Sequence, residues 1–401
     1  MAEDAPLCGQ SFQDLIYAEK WEAKEICVDP FAVICKYSDT HEQRINRVEQ
    51  KFNQIKQKAL DSIYKKYQKT FADMGIEKLT LENYQQVSTS GNPQCIGSTD
   101  CQSETQIEPA LDIDMFIKNI SEIQFAREAS LLVDSKIDLF NQAYDLIKKR
   151  MVKIAKRELK DRLSTEDFNQ QIEMLEGTIG LFSNSDESLA KAFPGLNKER
   201  RSLIKKDFDR SCFKKMKEKT NLFFQTYYFD SLEFHVVTTC PTIALASLEG
   251  AETLGPIHSN LFFGISHELG HQISSEIFDP SLFNKFNQCL KETIPPSDLK
   301  NPHEKYENEA QADFWAKLSV NDLLADMDEL PIEERIHLLK ETFVVMCKGK
   351  DDGIHHSTTT RLNKIFNQTP EFFKAFNCNQ MSKNLANITE TNDCNLDGKR
   401  K

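Results

Sequence analysis

The 401-residue chain has no run of about 18 apolar residues, so nothing in it is fit to cross a bilayer as a helix. It has no excess of positive charge. The formal net charge is −12, which argues against a nucleic acid or an anionic membrane surface as the main partner. No C-x-x-C pair occurs among the 11 cysteines, so the motifs of a zinc ribbon or a thioredoxin-type centre are excluded. There is no internal repeat and no low-complexity tract. No secretory leader is visible in MAEDAPLCGQ, which fits either a cytosolic chain or a processed one carrying an added Met.

What is present suits a folded globular chain, long enough for two domains or one large domain with a lobe. The cysteines stand singly from Cys8 to Cys394, many for a cytosolic chain. They predict disulfides and an oxidising compartment, hence a secreted protein, extracellular or periplasmic, and their odd number leaves at least one thiol unpaired within the chain. Apolar residues recur at helical spacing over 41–85, and a Lys-rich remainder forms a solvated face. Residues 87–109 read as a polar loop in which Cys95 and Cys101 could close a short ring. Helical patterning returns over 112–220, broken near FSNSDES and FPGLNK. The stretch TYYFDSLEFHVVTT is aromatic and β-branched and predicts a strand. A loop with Pro241, Gly250, Gly255 and Pro256 follows, then helices from near Ile257, after Pro302 and after Pro331. The expected fold class is mainly α with a small β-sheet, α+β.

One helix carries chemistry. FFGISHELGHQISSE holds His267, Glu268 and His271 in the order H-E-x-x-H. Residues four apart share a helix face, so the two imidazoles point to one place, with Glu268 beside it. Leu261, Ile265, Leu269 and Ile273 form an opposite, apolar stripe. Gly270 costs about 1 kcal/mol of helix propensity relative to Ala, which predicts close approach of another backbone, with the preceding strand as the candidate. A catalytic zinc takes three protein ligands and keeps one open position. ENEAQADFW offers Glu309 as the third, with Asp313 four residues on to accept a hydrogen bond from the far nitrogen of a ligating histidine. Glu307 is the rival ligand, without an Asp four residues on.

H-E-x-x-H followed by E-x-x-A-D resembles the gluzincin metallopeptidases. The pattern is shared by the neprilysin and endothelin-converting-enzyme family and by the membrane-bound CAAX proteases, which are polytopic. IHHSTTTRLNKIFNQTPEFFKAFNC is similar to the neprilysin family's H-x-P-x-x-x-R-x-x-x-x-x-x-N segment, and CVDPFAVIC to its C-x-D-F-Y-x-Y-x-C pattern. The chain departs from the family in length, in lacking the proline of H-x-P, and in its ending. It also departs at Gln225-Thr226-Tyr227-Tyr228, where the family has N-A-F/Y-Y, and in VTTCPT, where Cys240 replaces part of F-P-A-G-I-L.

The resemblance implies a thermolysin-like zinc peptidase domain over 213–401, a helical lobe covering the cleft over 46–212, and an N-terminal arm over 1–45 tied to the catalytic part. It implies one zinc ion on His267, His271 and Glu309, with Glu268 as general base and Asp313 orienting a ligand. His355, or His356 one residue on, would stabilise the oxyanion. Arg361 would hold a substrate carbonyl or carboxylate, and Gln225 and Thr226 would meet the substrate, whose backbone would add to the strand around 229–237. It implies the pairs Cys27–Cys378, Cys35–Cys347 and Cys289–Cys394, and leaves Cys8, Cys212 and Cys240 without partners. The expected function is a zinc-dependent endopeptidase acting on oligopeptides or small proteins. The alternative is a catalytically weak, metallopeptidase-like binding or inhibitory protein.

Overall fold

A computed structural model describes residues 25–36, 38–66, 68–73, 77–78, 133–212, 224–229, 234–251, 260–273, 280–294, 304–347, 355–366, 369–378 and 394–398. In chain order these form α1 (Pro30–Cys35), α2 (Ser38–Lys66), α3 (Gln68–Asp73), α4 (Ile137–Leu159), α5 (Thr165–Gly177), β1 (Ile179–Leu181), α6 (Asp186–Ala192) and α7 (Lys198–Cys212). Then come β2 (Phe224–Phe229), β3 (Phe234–Thr239), α8 (Pro241–Ala251), α9 (Asn260–His271), α10 (Asn284–Thr293), α11 (Glu304–Asp326), α12 (Ile332–Phe343) and, after a short turn of helix at Thr358–Thr360, α13 (Pro370–Ala375). The described residues are mainly helical, with one small sheet among them of order β1-β3-β2.

The sheet corrects two sequence expectations. The aromatic, β-branched run is two strands: Phe224–Phe229 lies antiparallel to Phe234–Thr239, with the polar, turn-forming Asp230 and Ser231 in the sequence between. β3 is central, paired with β2 on one side and parallel to β1 on the other. Of the strand expected to receive a substrate near 229–237, residues 234–237 belong to β3, which lies between β1 and β2, and among the described residues β2 is an edge of the sheet. β1 is too short to show a period. It packs under Tyr144 of α4, and a Cβ at Gly180 would lie 2.8 Å from that ring. The Tyr144 hydroxyl donates to the Thr178 carbonyl at 2.8 Å.

Pro241 and Gly250, read as loop residues, lie in α8. Pro at the first helical position is pre-set in φ and loses no hydrogen bond there, and the following TIALASLEGA is rich in Ala and Leu. The division expected at 212/213 is not a division of the core. β1, before it, pairs with β3, after it. One buried cluster joins Ile26 and Val33 near the N-terminus, Phe140 and Ile154 of α4, Leu261 and Ile265 of α9, and Phe372 of α13.

Four disulfides fasten the described residues: Cys27–Cys378, Cys35–Cys347, Cys289–Cys394 and Cys212–Cys240. Three are the pairs the resemblance implies. The fourth ties the end of α7 to the end of β3, where Cys240 departs from the family pattern. Four disulfides point to an oxidising compartment. Cys8, Cys95 and Cys101 lie outside the described residues. No described helix is long and apolar enough to cross a membrane.

At the centre, α9 is buried on every side from Asn260 to Gly270. The expected amphipathic pattern is thus replaced by burial all round, as for a helix inside the core. Its main neighbour is α11. A Cβ at Gly270 would lie 2.8 Å from the Ala312 carbonyl oxygen and 3.0 Å from Ala312 Cα. The close backbone is thus that of α11, not of the preceding strand. One turn earlier, the Ser266 and Ser319 hydroxyls are bonded at 3.1 Å. Gly270→Ala gains about 1 kcal/mol of helix propensity and costs about 1–3 kcal/mol of overpacking against backbone that cannot rotate away. We expect a net loss of about 1–2 kcal/mol in urea unfolding; equal or greater stability would contradict the packing.

Candidate metal centre

Three segments meet around one carboxylate oxygen. His267 and His271 come from the last turn of α9, Glu309 and Asp313 from α11, and His355 and Arg361 from the segment before α13. Glu309 Oε2 lies 3.0 Å from His267 Nε2, 3.3 Å from His271 Nε2 and 2.8 Å from His355 Nε2. The His267 and His271 rings are nearly perpendicular, with centroids 4.9 Å apart. Glu268 is 8% exposed, and its carboxylate groups with His267 and His271, their donor atoms within 4.8 Å of one another. Of the two adjacent histidines at 355 and 356, His355 is the one whose Nε2 reaches Glu309. Glu307 faces elsewhere: one oxygen meets Lys291 at 2.7 Å and the other accepts from Asn287 at 3.0 Å.

A second layer fixes these groups. Asp313 Oδ1 lies 2.9 Å from His267 Nδ1. Arg361 grips the same carboxylate with both prongs, Nε to Oδ2 at 2.7 Å and Nη2 to Oδ1 at 2.6 Å. Its guanidinium also stacks on the Phe263 ring, 5.5 Å from the centroid. Arg361, expected to hold substrate, here places two of its guanidinium nitrogens on Asp313. No sequence spacing signals this pairing, because the two residues come from separate segments. Gln171 of α5 donates to the Gln272 carbonyl at 2.5 Å and so holds the chain just past His271. Gln225 and Thr226 lie on β2, opposite Thr238 and Val237 of β3.

Charge and lone pairs test whether this set fits a cation. With a proton on Nδ1 directed to Asp313, His267 turns its Nε2 lone pair toward the lone pairs of Glu309 Oε2, 3.0 Å away. That contact is repulsive unless a positive charge lies between. In the chain alone a proton meets the demand. Burial pushes the His267 imidazole down, but the hydrogen bonds to Asp313 and Glu309 outweigh it and hold its pKa at about 10. Burial likewise raises Glu309, and its three histidine partners overcome this, leaving it far below the usual carboxylate range. Asp313 is also lowered against its burial, first by the Arg361 charge and then by His267. A metal ion meets the same demand. Ligands about 2.0–2.1 Å from a tetrahedral zinc lie about 3.3 Å apart, close to the separation of each imidazole Nε2 from Glu309 Oε2. The residues fit a metal ion.

Asp313 supports both stability and the metal site. In Asp313→Asn the Arg361 guanidinium is left buried without its counter-charge, a loss of about 3–5 kcal/mol in urea unfolding with a chelator present. Metal affinity falls about 10–100-fold because the His267 tautomer is no longer fixed. Adding Arg361→Met to Asp313→Asn restores much of the stability and none of the affinity, measured by chelator competition. Recovery of both together would contradict this division.

No family model, no curated protein and no solved structure matches the chain.

Proposed function

We propose that the protein is a zinc-dependent endopeptidase of peptides or small proteins, secreted, and a short, divergent relative of the neprilysin and endothelin-converting-enzyme family with a thermolysin-like catalytic part. The observation that carries the reading is the meeting of His267, His271 and Glu309, with Glu268 beside the two histidines. A carboxylate at position 268, beside the histidine pair, stands where a general base for the attacking water would be needed. The three disulfides that join the first described segment and α10 to the C-terminal part support the likeness. So does β2, an edge strand among the described residues, packed against α9.

Zinc, when bound, acts as a Lewis acid and brings the acidity of water toward neutral pH. The remaining steps belong to the chain. Glu268 takes a proton from the attacking water and passes it to the leaving amine. His355 Nε2 donates to the oxyanion that forms from the scissile carbonyl. Asp313 fixes the His267 ring, and Arg361 fixes Asp313. β2 offers its free backbone edge to an extended peptide, a mode largely indifferent to side chain. The helices before residue 213 limit entry to peptides.

The test is Glu268→Gln. We expect it to bind one zinc per chain like the parent and to lose about 10²–10⁴-fold in kcat/KM on a peptide library. A parent that holds zinc and cleaves no peptide would leave a binding or inhibitory protein on a peptidase scaffold. A parent that holds no zinc would end the site assignment.

A further inference from the structure

The donor atoms of His267, Glu309 and His355 all lie within 4.8 Å of one another. His355 is thereby in the same relation to Glu309 as the two histidines of α9, and its 2.8 Å separation is the shortest of the three. Its ring centroid is 5.7 Å from that of His267, tilted by 39°. The side chain is 23% exposed, against 6% for His267 and 18% for His271, so it closes the solvent side of the cluster. A cation held by His267 and Glu309 therefore also has His355 Nε2 within ligating reach, because these three form a group that could hold a metal ion.

We infer that His355 is a fourth protein ligand in the substrate-free chain, giving a three-histidine, one-glutamate shell that is closed at rest. This rests on the metal-binding reading above and sharpens it. Water or a substrate carbonyl reaches the ion only when the imidazole leaves. The released imidazole then stands beside the carbonyl it is proposed to assist. Glu309 Oε2 needs no more than one lone pair for the ion, so a simple hydrogen bond from His355 to that oxygen is the competing arrangement. The two differ in the number of imidazoles on the metal and in the presence of a vacant position.

Both differences can be read without catalysis. X-ray absorption on the zinc-loaded parent counts metal-bound imidazoles, and the parent needs no substitution to be informative. We expect three in the parent and two in His355→Ala. In the cobalt(II)-loaded proteins, azide should leave the parent's visible spectrum unchanged at concentrations that shift that of His355→Ala. Added imidazole should restore the parent's spectrum to the variant. Zinc affinity of the variant should fall at least 10-fold, with circular dichroism unchanged. Two imidazoles in the parent, or an equal azide response in both proteins, would overturn the fourth ligand and leave the three-ligand site intact. If His271→Ala and Glu309→Gln hold zinc as tightly as the parent, the ion is bound elsewhere, and the underlying site reading fails as well.

Discussion

The distance between α9 and α11 sets everything at the centre of this molecule. Position 270 carries no side chain, and the backbone of α11 at Ala312 occupies the space a methyl group would take. At that spacing Glu309, one turn before Ala312, faces His267 and His271, and Asp313 comes under His267. Moving the helices apart by even a fraction of an ångström would carry the carboxylates out of register with the imidazoles, since such sites tolerate displacements of only about 0.5 Å. The wholly buried Trp315 and the Ser266–Ser319 bond keep the helices from sliding as well as from separating. The geometry of the candidate metal site is thus a consequence of helix packing, and the helix propensity forgone at Gly270 accompanies the close approach at Ala312.

The second half of the site is held differently. His355 precedes a short helical turn at Thr358–Thr360, Arg361 opens a π-helical turn at Arg361–Phe366, and the molecule brackets this segment from outside. Cys347 and Cys378 stand on either side of that segment, and each is bonded to the first described stretch, at Cys35 and Cys27. Between these anchors Asn363 accepts from the Phe31 amide and donates to Asp29, both at 2.9 Å. Asp29 in turn caps α1 through the Ala32 amide. A stretch remote in sequence therefore clamps the segment that carries the guanidinium and the third imidazole. Arg44 of α2 adds a two-pronged ion pair to Glu341 of α12.

Local contacts are legible in the sequence, and contacts that cross the chain are not. His267 with His271, and Glu309 with Asp313, are pairs four residues apart on single helices, and helical geometry alone puts each pair on one face. The partner of Gly270 could not be found this way, because close approach has a signature but no address. The commitment of Arg361 to Asp313 was hidden for the same reason, as was Cys212–Cys240. Pro241 misled because its meaning depends on position: it breaks a helix interior and starts a helix equally well. The antiparallel strands β2 and β3 look like one strand in the sequence because aromatic and β-branched residues run up to the polar break on both sides. Strand order lay beyond any local pattern, since β1 reaches β3 across the whole of α6 and α7.

Charge closes the account of the centre. Asp313 and Arg361 cancel, buried together with matched forks. Glu309 is left as a negative charge surrounded by imidazoles in the interior, a state that needs a positive partner. A proton on His267 neutralises it when the chain stands alone. A divalent ion in the proton's place leaves one positive charge over, and the carboxylate of Glu268, next to the same two histidines, is the group that balances it. Neutrality with metal thus calls on all three carboxylates, while neutrality without it calls on only two. That asymmetry gives Glu268 an electrostatic role, beside the proton transfer proposed for it, in a cluster that could hold a divalent ion.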